Sequence, residues 1–334
     1  MSDAPKTLQQ AIRYYGDEDV CVQTLAARRW PSGQFCPKCG DTAHYYVKTQ
    51  RRWQCKGCKH QYSVKVGTIF EDSAIPLNKW LVALWMLVNC RNGVSSYEVA
   101  RAIGVTQKSA WFVLHRLRWA LRTGSFEKPL GAGPDGGPVE ADETFVGANP
   151  LKMHKARRAR INAIASNTAG VSRHAPGKTI VMGMLDREAR QVRAMVIPDV
   201  KRQTLQEQIL KHVKGGATIY TDDFSAYKFA LADRFAHDVV NHVEGYVKGR
   251  VHTQGIENFW SLLKRSLRGI YVAVEPFHLD RYVDEQVFRY NNRKDEDNRP
   301  IPDAERFALA LSGIAGKRLT FAEVTGKTGS QATS

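Results

Sequence analysis

Cys36-Pro-Lys-Cys39 and Cys55-Lys-Gly-Cys58 are two C-x-x-C pairs separated by fifteen residues. Two tight turns that each present two thiolates suit a tetrahedral zinc ion, and a site closed by four sulfurs is structural, with no open position for catalysis. One structural Zn2+ on Cys36, Cys39, Cys55 and Cys58 is therefore expected. A second set of candidates is acidic and dispersed. In Val139-Glu-Ala-Asp-Glu-Thr-Phe145, strand alternation puts Val139, Ala141 and Phe145 on one face, with Glu143 out of pattern there, and Glu140, Asp142 and Thr144 on the other. Asp222 stands where the apolar strand Thr218-Ile-Tyr-Thr221 ends, with Asp223 beside it, and strand ends of such sheets are where ligands bind. Around Glu257, the residues Ile256, Phe259, Trp260, Leu263 and Leu267 form one helical stripe, and Glu257, Ser261, Lys264, Arg265 and Arg268 another. Glu257 and Lys264 then lie about 10 Å apart on one face, at roughly 1.5 Å per residue. Taken singly, each acid has a commoner structural explanation: a solvated edge strand for Asp142, a helix N-cap for Asp222. Brought together, they could hold two Mg2+ or Mn2+ ions roughly 4 Å apart, the arrangement that activates a nucleophile and stabilises the leaving oxygen of a phosphodiester.

Such residues need elements to position them. Residues 1–30 carry a weak helical pattern that stops at Trp30-Pro31, and the cysteine pairs define a ribbon over 31–74 whose basic hairpin includes Arg51 and Arg52. Over 75–123, apolar residues recur at helical spacing in three helices, the last two joined by Ile103-Gly104-Val105-Thr106. That is a helix-turn-helix pattern which would present Gln107, Lys108 and Ser109 to a major groove; an ordinary three-helix packing unit has the same spacing. The stretch Gly131 to Pro138 cannot sustain a helix or strand, so 124–138 reads as a linker. Beyond it, strands at Val139 to Val146, Thr179 to Leu185, Val192 to Ile197 and Thr218 to Thr221, with a helix at Leu205 to Val213, predict a mixed sheet covered on both faces, in a domain spanning 139–312. Lys152 to Arg160 reads as a basic loop, and 313–334 as a frayed tail rich in Gly, Thr, Ser and Lys. The formal charge of +16, from 49 Lys and Arg against 33 Asp and Glu, favours a polyanionic partner, nucleic acid first. The longest apolar run, Trp80 to Val88, is too short to span a bilayer, and the N-terminus has no secretory pattern, so a cytoplasmic location is expected.

Five motifs carry a resemblance: Phe35-Cys-Pro-Lys-Cys-Gly40, Gly67-Thr-Ile-Phe-Glu-Asp-Ser73, Val139 to Phe145, Tyr220-Thr-Asp222, and His252-Thr-Gln-Gly-Ile-Glu-Asn-Phe-Trp-Ser-Leu-Leu-Lys-Arg265. From about Thr7 to Ala310 the sequence resembles the transposases of small bacterial insertion sequences that join a zinc ribbon to a DDE catalytic domain, relatives of the Merlin elements. The resemblance implies an RNase H-like α/β domain with catalytic Asp142, Asp222, Glu257 and Lys264, the three acids holding divalent metal. It implies that Phe288 to Arg293 lies in a closing helix of that domain. It also implies binding of terminal inverted repeats and target DNA, cleavage, joining of 3′-hydroxyl ends, and a homodimer or higher oligomer in the synapse. Lys264, Arg265 and Arg268 would hold DNA phosphates along one helix face, and Arg51 and Arg52 either contact the DNA backbone or belong to a solvated basic hairpin. In some relatives the third position is assigned to Asn, so Asn258 stands beside Glu257 as an alternative, as Asp223 does beside Asp222. Two other functions fit the same features: an inert DNA-binding regulator, and a metal-dependent nuclease or resolvase that hydrolyses without joining.

Overall fold

In a computed structural model, the described residues are 4–122, 128–133, 137–147, 154–156, 159, 178–222, 235–240 and 252–326. They fall into two compact units, Met1–Thr123 with Arg299–Ser334, and Gly124–Asn298. Most of the expected basic loop from Lys152 to Arg160 lies outside the described residues. Among the described residues no helix is long and apolar enough to cross a membrane.

The first unit opens with helices α1 (Leu8–Tyr14) and α2 (Glu18–Arg29), capped by Thr7 and Asp17. A three-stranded antiparallel ribbon follows, β1 (His44–Val47), β2 (Arg52–Cys55) and β3 (Gln61–Tyr62). Helix α3 (Leu77–Asn89) is its core: Trp80, Leu81, Leu84, Trp85, Leu87 and Val88 are all buried. Pro76, at the α3 N-cap, offers no capping side chain. Glu18 of α2 does this from a distance, accepting the backbone N–H groups of Leu77 and Asn78 at 2.9 and 3.3 Å, a favourable place for a carboxylate. Helix α4 (Ser96–Ile103) starts with a Ser95/Glu98 capping box and ends on Gly104, whose φ of 62° is left-handed. Thr106 caps α5 (Gln107–Leu121).

The chain later returns to this unit. Helix α9 (Asp303–Ser312) buries Phe307, Ala310 and Leu311, and the Phe307 ring packs at 5.3 Å from Tyr15 and 5.2 Å from Trp85. This differs from the expected domain end at 312, because α9 makes its apolar contacts with the first unit. The expected frayed tail of 313–334 differs over its described part, and 327–334 lie outside the described residues. Over 313–326 the chain is tied down: Ile69 N–H donates to the Ile314 carbonyl, Gly316 N–H to that of Gly67, and Lys317 Nζ to the carbonyls of Trp119, Ala120 and Arg122. Helix α10 (Phe321–Val324) has its own capping box and buries Val324 fully. The polar composition concealed two anchors, Leu319 and Val324, both in the core.

The second unit is a five-stranded sheet in the order β6-β5-β4-β7-β8, formed by β4 (Val139–Val146), β5 (Thr179–Asp186), β6 (Gln191–Ile197), β7 (Thr218–Asp222) and β8 (Ala236–Val240). The first three strands in that order pair antiparallel, and β4–β7 and β7–β8 pair parallel, so the sheet is mixed as expected. Helix α6 (Arg202–His212) covers one face, where Val139, Ala141, Met182, Met184 and Ile219 meet Leu205 and Ile209. Helices α7 (Gln254–Ser266) and α8 (Leu279–Asn291) cover the other, packing Ile256, Phe259, Trp260, Leu263 and Val283 on Val181, Leu185, Val192 and Ala194. The expected linker is partly built into this unit: Leu130 is buried in the α6 core, pairs with Val213, and Gly131 N–H donates to Asp186 Oδ2 at 2.7 Å. Gly131 needs its left-handed φ of 69°, and an added Cβ there would lie 2.6 Å from Ala217.

Truncation after Gly316 removes the buried side chains of Leu319 and Val324. We expect it to cost the first unit about 2–5 kcal/mol, read as a lower midpoint in urea; an unchanged midpoint would show that the segment does not stabilise the fold.

Candidate active site and metal centre

The four cysteines are set by the turns before β1 and after β2. Their sulfurs all lie within 4.8 Å of one another, with Cys36 to Cys58 at 3.7 Å and Cys39 to Cys55 at 3.6 Å. Those separations are far too long for disulfides. They match a tetrahedral site, because four sulfurs at ~2.3 Å from one zinc lie about 3.8 Å apart. Burial opposes ionisation of Cys36, yet hydrogen bonds from the Cys39 and Lys38 amides bring its thiol down to about 7. Asp41 Oδ2 accepts the Gly57 N–H at 3.1 Å and the Cys55 thiol at 3.7 Å, joining the two knuckles. Four thiolates on two such knuckles fit a structural zinc ion.

The acids come together in the second unit. Strands β4 and β7 run parallel with Val139 opposite Ile219 and Glu140 opposite Tyr220. Two residues further along, each strand carries an aspartate, Asp142 and Asp222, where the pairing ends; this is the carboxyl-end crevice of a parallel pair. Helix α7 crosses this face, and its first turn carries Glu257. Asp142 senses both other acids. Its carboxyl is pushed up to about 6, first by burial and then by the negative charge of Asp222, with Glu257 adding to the push. Hydrogen bonds from Trp260 Nε1 to Oδ2, at 2.9 Å, and from Glu143 N–H to Oδ1, at 2.8 Å, resist it. Glu257 is exposed and accepts the Thr253 hydroxyl at 2.9 Å. Lys264 sits two turns along α7, where burial and the neighbouring Arg268 lower its pKa and Asp142 opposes the shift. Among the described residues, the four thiols are the set brought close enough for a shared ion, and the acids are held more loosely.

Comparison with known proteins bears on these two centres directly. Residues 16–61 match the transposase zinc-ribbon domain, and residues 135–291 match the ISXO2-like transposase domain. The chain thus carries a transposase zinc ribbon and a DDE transposase domain. It is similar to an uncharacterized protein in the transposable element ISH50 of Halobacterium salinarum, with 27% identity over 261 residues, 77% of this chain and 85% of that protein.

The remaining expected residues are spread over both units. Arg265 and Arg268 are exposed on α7. Asn258 is exposed too, about 100° around the helix from Glu257 and away from the sheet. Asp223 lies outside the described residues. In the first unit, Gln107 Nε2 donates to Ser96 Oγ at 2.9 Å, Ser109 joins the Thr106 cap, and Lys108 lies 5.2 Å over the Phe321 ring. Arg51 pairs with Asp19 at 2.5 Å, and Arg52 is exposed on β2. Two residues of the DDE domain were not read as site residues from sequence. Trp260 was one of an apolar stripe, and Glu140 was a same-face neighbour of Asp142. The signal that could have found them is glycine: Gly183 and Gly255 leave the space that Trp260 and Glu140 occupy.

Two outcomes follow from this geometry. Removing zinc by a strong chelator, or Cys55→Ser, should unfold the ribbon and expose Trp53, Trp30 and Tyr62, which pack together at 5.5–6.3 Å; tryptophan emission that stays unshifted would contradict a structural metal. For Asp142, a folded pKa above its ordinary 3.8 means that stability falls as pH rises from about 4 to about 6 and stays lower beyond. Asp142→Asn should therefore stabilise metal-free protein by about 1–3 kcal/mol at pH 8 and by almost nothing at pH 4, measured by thermal melting.

Proposed function

We propose that the protein is a DNA transposase that binds the terminal inverted repeats of its own element, cuts the DNA there and joins the freed 3′-hydroxyl ends to target DNA. The observation that carries this reading is the placement of Asp142 and Asp222 two residues past the last residue pairs of the parallel strands β4 and β7, with Glu257 in the first turn of α7, the helix bonded to Asp142 through Trp260. Their strand order and placement agree with an RNase H-like catalytic domain. We assign them as ligands for two Mg2+ or Mn2+ ions, and prefer Glu257 to Asn258, since Glu257 acts electrostatically on Asp142 and Asn258 faces away. Divalent ions held there would supply Lewis-acid charge at a scissile phosphate. The chain's own residues do the rest. The three carboxylates orient the attacking water, and afterwards the 3′-hydroxyl, in line with phosphorus; Lys264 holds the phosphate beside Asp142; Arg265 and Arg268 contact the flanking backbone. Asp142, raised to about 6, is ionised and able to ligate at neutral pH.

DNA recognition falls to the first unit. Helices α4 and α5 around Gly104 form a helix-turn-helix that presents Gln107, Lys108 and Ser109, and the ribbon adds Arg51 and Arg52. The net charge of +16 supplies the salt-dependent part of the affinity. Cutting and joining two ends in one event calls for a dimer or higher oligomer on DNA.

The test is cleavage and strand transfer on labelled element ends in Mg2+. Asp142→Asn, Asp222→Asn and Glu257→Gln should each lose cleavage by about 1000-fold or more, on the scale of removing charge-stabilising groups, while Asn258→Ala keeps it. Protein that binds ends without cutting is a regulator; protein that cuts without joining precut ends is a nuclease. Either result overturns the proposal.

A further inference from the structure

Helix α7 is fastened to strand β4 at two points. The Ile256 N–H donates to Glu140 Oε2 at 2.8 Å, and Trp260 Nε1 donates to Asp142 Oδ2 at 2.9 Å. The spacings agree: successive same-face positions of a strand are about 6.6 Å apart, and four helical residues rise about 6 Å. Residues 140 and 142 therefore meet residues 256 and 260 one turn apart. Thr253, the N-cap, makes no capping bond with its side chain. Glu140, only 1% exposed, takes that place from the neighbouring strand.

The second oxygen of Glu140 extends the connection. Oε1 accepts Arg187 Nε at 2.5 Å and lies 3.6 Å from His252 Nδ1. Arg187 reaches His252 as well, through its Nδ1 at 2.8 Å and its backbone carbonyl, and its guanidinium stacks 4.8 Å above the Tyr220 ring. Tyr220 belongs to β7, two residues before Asp222. One network thus touches β4, β7 and the start of α7, the three elements that carry the acids. Two glycines admit it. A Cβ on Gly255 would fall 2.9 Å from Glu140 Oε2 and 2.3 Å from Leu185. A Cβ on Gly183, the cross-strand partner of Asp142, would fall 2.6 Å from the Trp260 ring.

We propose that Glu140 and Trp260 are positioning residues that lock α7 in register on β4 and thereby set Glu257 and Lys264 against Asp142. This rests on the reading of the three acids as a metal cluster. A role in stability alone would leave metal affinity untouched in a variant that folds.

The experiment is Mn2+ binding to zinc-loaded, full-length protein without DNA, followed by electron paramagnetic resonance, with thermal melting alongside. Trp260→Phe keeps the ring over Gly183 and loses the N–H donor; Glu140→Gln keeps an acceptor for Ile256 and loses the charge facing Arg187. Both should weaken Mn2+ about 10- to 100-fold, as loss of a group that orients a metal ligand does. DNA cleavage by either variant should recover as Mn2+ is raised, whereas Asp142→Asn should not recover. Trp260→Phe that melts like wild type and binds Mn2+ with wild-type affinity overturns the positioning role, whatever Glu140→Gln does. Asp142→Asn that binds Mn2+ like wild type instead overturns the metal-cluster reading beneath it.

Discussion

A carboxylate held in mid-strand, raised first by burial and then by the charge of neighbouring acids, is the constraint around which this part of the second unit is arranged. Asp142 stands in mid-strand, partly buried, with the charges of Asp222 and Glu257 acting on it, and its pKa rises to about 6 as a result. A side chain in that position would relax away or stay protonated unless its surroundings opposed both. Trp260 and the Glu143 amide hold its two oxygens, and Lys264 supplies a positive charge two helical turns along. The Trp260 and Lys264 contacts require α7 to lie at one register on the sheet, which explains why the neighbouring Glu140 is engaged with the helix start and with Arg187.

The two candidate metal centres solve different problems. The cysteines sit on two turns of one ribbon, so local chain geometry brings their sulfurs to separations of about 3.6–3.7 Å that a zinc ion requires. Softness of the ligand and closure of the site make it a fold element. The acids come from β4, β7 and α7, elements far apart in the chain, and no local turn can assemble them. Their placement depends on the pairing of β4 with β7 and on the helix that crosses the sheet.

The domain order along the chain is also informative. The ISXO2-like domain lies between two segments of the first unit, since α9 and the piece through α10 return to α3 and α5. Lys317 satisfies three carbonyls at the end of α5, and Phe321 lies against Phe112 and Lys108 near its beginning. Helix α5 is thus braced along its length by residues more than 190 positions away in sequence.

Sequence alone determined the parts whose physics is local. Paired cysteines at a two-residue spacing, the Ser95/Glu98 capping box, the Gly104 turn and the alternation of Val139 to Phe145 each express a short-range preference, and each is present as read. Strand alternation was enough to separate Asp142 from the face on which Val139 and Ala141 pack against α6, and helical periodicity was enough to put Glu257 and Lys264 on one face of α7. Tertiary structure decided what depends on contact between distant residues. Trp260 reads as apolar packing until its one N–H finds Asp142; Glu140 reads as a surface acid until it meets Ile256 and Arg187; the polar C-terminal stretch reads as frayed until Leu319 and Val324 find a core. Strand β8 was missed for the same reason, because a short strand is defined by its partner, here β7, more than by its own residues. In each case the decisive energy is an interaction between groups far apart in the chain, which no window of sequence contains.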